Sequence, residues 1–163
     1  MQTRKPNFTP RLQEALKIAR EVAEQVNSTT IDVNHLALGI LSLDSGPAHA
    51  ILRSCGIVSE DFLLFLREAV ALKQTVAPRA SLDSSIHYAN NVKKVFAISV
   101  LLSDKLDHGY VGLLHIMIAL CKHETGAFIE YLDYTGVDTR LLITKIKSYF
   151  LNQHIDPGPA PSF

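Results

Sequence analysis

The sequence predicts an all-α protein in which one four-helix unit is used twice. Three observations carry that prediction. The stretch Ile31 to Leu41, with His35 at its centre, returns eighty residues later as Val111 to Cys121, with His115 in the matching place. The same offset holds on both sides without a gap, pairing Phe8 with Tyr88, Ile18 with Ile98, Gly46 with Gly126, Leu52 with Leu132 and Gly56 with Gly136. Between these landmarks apolar residues recur at helical spacing, and the absence of Trp leaves the core to Leu, Ile, Val and Ala.

In the first unit, residues 1–7 carry no pattern and read as a flexible lead-in. Thr9-Pro10 looks like a helix start, with the threonine oxygen as cap and proline where its missing N–H costs nothing. From there Leu12, Ala15, Leu16, Ala19, Val22, Ala23 and Val26 share one face, and the pattern ends near Asn27-Ser28. The second helix runs to Leu41 and is apolar nearly all round, so it must be packed on several sides. Asp32 or Asn34 is its cap. Ser45-Gly46-Pro47 breaks the chain and opens a short third helix through Ala48, Ile51 and Leu52, closed by Gly56. Ser59, followed by Glu60 and Asp61, places a cap and two negative charges at the start of a fourth helix reaching about Leu72.

Residues 73–87 lose the periodicity, hold Pro78 and three serines, and read as the linker. Residues 88–151 then repeat the plan of 8–72, with helices at about Asn90–Leu106, Leu113–Lys122, just after Gly126, and Thr139–Leu151. Residues 152–163 form a Pro/Gly-rich flexible tail.

Composition narrows the function. Sixteen basic and sixteen acidic residues cancel, so no field of one sign attracts nucleic acid or an anionic membrane. No apolar run approaches the ~20 residues of a membrane span, and the first twenty residues lack a secretion signal, so a cytoplasmic chain is expected. Cys55 and Cys121 are the only thiols and read as small buried side chains. His35 and His115 read as buried rings bonded to backbone near helix starts. His115 and His123 lie two turns apart, too far to share a metal ion. No nucleophile motif, ATP-binding loop, cofactor motif or metal cluster is present, so the chain is expected to perform no chemistry.

Phe8-Thr9, Ala15-Leu16, Ala19, Ala23, Ile31 to Leu41, Gly46, Ala48, Leu52 and Gly56-Ile57 resemble the repeat of the Clp N-terminal domain. The second unit is similar to the ClpC form through Ile86-His87-Tyr88, Lys93-Lys94-Val95, Lys105-Leu106, His108, Tyr110-Val111-Gly112 and His115. The resemblance covers about residues 8–151. It implies eight helices in two repeats related by a pseudo-twofold axis. It also implies a domain that docks substrate or adaptor proteins for an ATP-driven Clp unfoldase or protease, within a longer protein or as a stand-alone regulator.

In ClpC-type domains each repeat holds phosphoarginine through a threonine opening the first helix and a glutamate before the motif histidine. Thr9 matches, but Asn34 stands at the glutamate position, and the second repeat has Ala89 and Leu114. The resemblance thus implies that phosphoarginine binding is lost in repeat two and weak or absent in repeat one. At about 100° per residue, Leu101 and Leu64 fall opposite the apolar stripes of their helices. Thr9, Asn34, Leu64 and Leu101 are therefore the candidate partner-binding residues.

Overall fold

Local stop signals at matching places in the two repeats help to cut the chain into its helices. Asn27 and Asp107 (φ 56° each), Gly56 (φ 84°) and Gly136 (φ 77°) all lie in the left-handed region, where Gly, Asn and Asp are least strained. Each lets two N–H groups turn back onto the finished helix: Ser28 N–H reaches Ala23 O at 2.9 Å, and its counterpart His108 N–H reaches Ser103 O at 2.9 Å. In the computed structural model, which describes residues 7–43, 46–72 and 86–155, the resulting helices are α1 (Pro10–Gln25), α2 (Val33–Leu41), α3 (Pro47–Ser54), α4 (Ser59–Leu72), α5 (Asn90–Lys105), α6 (Leu113–His123), α7 (Ala127–Thr135) and α8 (Thr139–Ile155). Residues 1–6, 44–45, 73–85 and 156–163, which hold most of the expected lead-in, linker and tail, lie outside the described residues, whereas residues 152–155, assigned to the tail from sequence, continue α8 because nothing breaks the helix before Pro157.

Thr9 caps α1, its Oγ accepting the Leu12 N–H at 3.1 Å. Asp32, not Asn34, caps α2, accepting the N–H groups of Asn34 (2.8 Å) and His35 (3.2 Å). Ser59 is not the cap of α4: it is already inside the helix, and its hydroxyl bonds His49 Nδ1 at 3.0 Å. His49 also bonds the Leu43 carbonyl through Nε2, so one ring ties α3 to the end of α2 and the start of α4.

The two repeats are intertwined. Helix α1 packs on α2 and α5 on α6; α4 packs on α2 of its own repeat and also reaches α7 of the other, while α8 correspondingly packs on α6 and reaches α3. All nine residues of α2 are buried, as is α6 from Leu114 to Cys121, so these two helices form the centre. Their apolar side chains join those of the surrounding helices in one cluster that runs through both repeats.

Backbone pairing displays the pseudo-twofold most directly. Two residues, Thr30–Ile31 (β1), pair in parallel with His87–Tyr88 (β2), and Phe8 bridges Val111 in the same sense. Under the eighty-residue offset the Phe8/Val111 bridge maps onto Tyr88/Ile31, so each repeat lends the segment before its first helix to the segment before the other's second. Thr9 N–H to Val111 O (3.0 Å) and Ala89 N–H to Ile31 O (2.9 Å) are the matching bonds. The sequence reading expected no strand. These pairs are too short for alternating burial to reveal them, and they form only once both repeats are in place. Ile86 and His87, assigned to the linker from sequence, belong to this joint: Ile86 is buried with Ala19, Ala23 and Ile31.

Candidate functional site

The repeated histidines are helix-start fixtures. In each case ring Nδ1 accepts the backbone N–H three residues earlier, Asp32 for His35 and Gly112 for His115, at 3.0 Å. This is the returning half of a capping box with histidine in place of the usual Glu or Gln. Because Nδ1 of His115 is an acceptor, its proton sits on Nε2, which donates to His108 Nδ1 at 2.8 Å. Phe150 stacks on the His115 ring and Tyr110 on that of His108. Burial first, and His108 second, lower the His115 pKa to about 4.

That shift makes a pH prediction. A histidine held neutral in the fold but titrating near 6.5 when unfolded stabilises fully above pH 6.5 and loses its contribution as pH falls towards 4. The loss is expected to reach about 3 kcal/mol. Denaturant titrations at pH 7 and 4.5 should show it in the native chain and a smaller drop in His115→Asn.

Around these helix starts the twofold is broken. On one side, Asn34 Oδ1 accepts the Ala127 N–H at 2.8 Å, clamping the start of α7 onto the start of α2. The approach is so close that a Cβ on Gly126 would lie 2.8 Å from Val33 Cγ2. Behind it Phe62 stacks on Tyr131 (ring centroids 4.2 Å apart) and meets Phe128 (5.2 Å), filling the space between α4 and α7. On the other side Leu114 replaces Asn34 and has no acceptor, and Pro47 replaces Ala127 and has no N–H. No bond of that kind can form. A cavity of about 330 Å³ remains there, walled by the starts of α1, α3 and α6, the end of α2, and Tyr149 and Phe150 of α8.

Arg11 lines this cavity, and its Nη2 is fully buried with no hydrogen-bond partner among the described residues. A buried guanidinium N–H left unmade costs at least about 1–3 kcal/mol, so an acceptor arriving here would be bound well. The helical pattern of the sequence offered no reason to single out Arg11. Only the folding of α3 against it reveals the position.

Thr9 lies in the same cavity, but Asn34 does not. The bridge of Phe8 to Val111 carries Thr9 across the axis to Gly112 and Leu114, while Asn34 faces α7. The within-repeat pairing of Thr9 with Asn34 is therefore corrected. Asn34 is also only 4% exposed with its oxygen committed, so it is a structural residue and not a contact for a partner. The crossed geometry leaves Thr9 with Leu114, a hydroxyl without a carboxylate, and Asn34 on the side of Ala89, an engaged amide without a hydroxyl.

Leu64 on α4 and Leu101 on α5 are 56% and 62% exposed, so neither packs between the repeats. The thiols differ from each other: Cys121 is buried, which pushes its pKa up to about 12, while Cys55 at the end of α3 is half-buried. A thiol so raised stays protonated and is a poor nucleophile. Among the described residues no helix is long and apolar enough to cross a membrane.

A family model for the "Clp repeat (R) N-terminal domain" matches residues 7–134. The chain is 30% identical over 130 residues to the negative regulator of genetic competence ClpC/MecB of Bacillus subtilis, covering 80% of this chain and 15% of that protein. It is 31% identical over 131 residues to the chaperone protein ClpB of Oceanobacillus iheyensis, with the same coverage of 80% and 15%. The chain thus spans about 15% of the length of the curated relatives it matches. Among solved structures, the N-terminal domain of Hsp104 from Candida albicans superposes with a TM-score of 0.76 at 15% identity, covering 96% of this chain and 99% of that one. The N-terminal domain of ClpD from Arabidopsis thaliana gives 0.66 at 24% identity, covering 88% and 97%.

Proposed function

Because this chain belongs to the Clp repeat N-terminal domain family, we propose that it is a non-catalytic docking module that holds substrate or adaptor proteins for an ATP-dependent Clp unfoldase or protease. The observation that carries this reading is the family match over residues 7–134, which spans both repeats. The geometry supports it from two directions. The recurring histidines, the tempting catalytic groups, already have backbone partners, and the most distinctive opening is an apolar cleft suited to holding part of another molecule. Exposed Leu64 and Leu101 add apolar contacts on the outer faces. The cytoplasm, where Clp substrates would be met, is the compartment this role calls for. Phosphoarginine is not part of the proposal, since neither crossed position combines a hydroxyl with a carboxylate.

The test is direct capture. A photo-crosslinker placed at Leu114 or Leu101 should trap a discrete protein, which after purification should bind the chain saturably. Leu101→Glu or Leu64→Glu is expected to weaken that binding at least tenfold while moving the melting temperature by less than about 2 °C, because surface changes of this kind rarely exceed ~0.5 kcal/mol. Failure of any trapped protein to rebind in purified form would overturn the docking role.

A further inference from the structure

We propose that the cleft between α3, α6 and α8 takes the C-terminal residue of a partner polypeptide, an apolar side chain bearing a free α-carboxylate, with Arg11 as its counter-ion. This rests on the docking role and specifies its ligand. The pseudo-symmetry supplies the argument, because the chain carries its own carboxylate at the matching place. In repeat one Asp32 caps α2, its carboxylate accepting the N–H groups of Asn34 and His35 at 2.8 and 3.2 Å. In repeat two the equivalent residue is Gly112, which has no side chain to accept the N–H groups of Leu114 and His115, although the His115 ring still accepts the Gly112 N–H. The first N–H groups of α6 therefore lack the anion that α2 enjoys, and Gly112, Leu114 and His115 all line the cavity.

Two further features set this side apart. Arg11 brings a positive charge, its Nη2 buried and without a hydrogen-bond partner among the described residues, where the mate has neutral Asn91, whose Oδ1 is likewise buried without a partner among them. Thr9, whose hydroxyl oxygen accepts the Leu12 N–H, keeps its own proton to donate, where the mate has Ala89. Guanidinium, hydroxyl and open helix start together describe a carboxylate site.

Most of the remaining wall is apolar, with Ile40, Leu43, Leu113, Leu114 and Phe150 beside the rings of His49, Tyr110, His115 and Tyr149. An Asp or Glu side chain inside a polypeptide would bring the charge but leave that wall bare. A C-terminal Leu or Phe brings both, since its carboxylate and its side chain leave the same Cα. The cavity, about 330 Å³, has room for such a residue.

Fluorescence anisotropy on the whole chain tests this with a labelled decapeptide ending in leucine, as free acid and as C-terminal amide. The acid is expected to bind saturably, and the amide at least tenfold more weakly. Arg11→Gln should lose at least tenfold for the acid and little for the amide. Gly112→Asp copies the cap of repeat one, so it should abolish peptide binding while raising the melting temperature, a pair of changes that misfolding could not produce. Equal binding of acid and amide overturns the proposal. So does undiminished binding to Gly112→Asp, an amidated peptide with an internal glutamate that binds as tightly as the acid, or free phosphoarginine that binds more tightly. A chain that ignores the peptides yet rebinds its purified crosslinked partner refutes this ligand and leaves the docking role intact.

Discussion

Phe62→Ala is expected to destabilise the protein by about 3–5 kcal/mol, the range for emptying a fully buried aromatic site. Phe62 has no exposed surface, stacks on Tyr131 and touches Phe128. Those partners belong to α7, so the change strikes the joint between repeats and not merely the interior of one. At roughly 2–4 °C per kcal/mol for a chain of this size, the melting temperature should fall by about 10 °C. The pseudo-equivalent residue is Leu142, also fully buried, but its neighbours at the matching positions of α3 are Ala48 and Ile51 rather than aromatics. Leu142→Ala should cost about 2–4 kcal/mol, the lower figure reflecting fewer side-chain atoms lost. Denaturant unfolding of both variants measures the pair, and a Phe62→Ala loss below ~1 kcal/mol would show that α4 and α7 do not lock the repeats together.

Gly39→Ala carries the second large effect, and its sign runs against local preference. In an isolated helix the change would stabilise by about 1 kcal/mol. Here the new Cβ would lie 2.3 Å from the Ala15 carbonyl oxygen and 3.1 Å from Ala19 N, so α1 and α2 must part. The obstacle is backbone, which cannot rotate away. A net loss of about 2 kcal/mol or more is expected, since overpacking a filled interface commonly costs 1–3 kcal/mol and the contact is unusually short. Repeat two already has Ala119 at this position, fully buried. Equilibrium unfolding of Gly39→Ala decides the matter: unchanged or increased stability would contradict the close packing of α1 on α2.

Much of the architecture was readable in the chain. Thr9 and Pro10 announced α1, and Gly56 and Gly136 announced helix ends, because caps and left-handed stops act over four or five neighbouring residues. The buried residues of α5, Val92, Val95, Ser99, Leu102 and Ser103, recur at helical spacing for the same reason, with Phe96 and Leu106 half-buried beside them. His35 and His115 were likewise readable, their partners being backbone groups three residues away. Where local rules compete, the reading slipped. Ser59 had the chemistry of a cap but serves His49, a partner from another helix.

What lay beyond the linear pattern is how the repeats cross. An eighty-residue offset says that two units match; it does not say that Phe8 pairs with Val111 or that α4 packs on α7. Consequently the family resemblance grouped Thr9 with Asn34, although the fold sends one to an open cleft and locks the other against Ala127. The Arg11 Nη2, without a partner among the described residues, and the start of α6 that lacks a carboxylate cap depend on the same crossing. Helices form from bonds between near neighbours, so the string of residues encodes them legibly. A cleft forms from surfaces far apart in the chain, and whether it stays open depended here on an Asn–Ala contact in one half and its Leu–Pro substitute in the other.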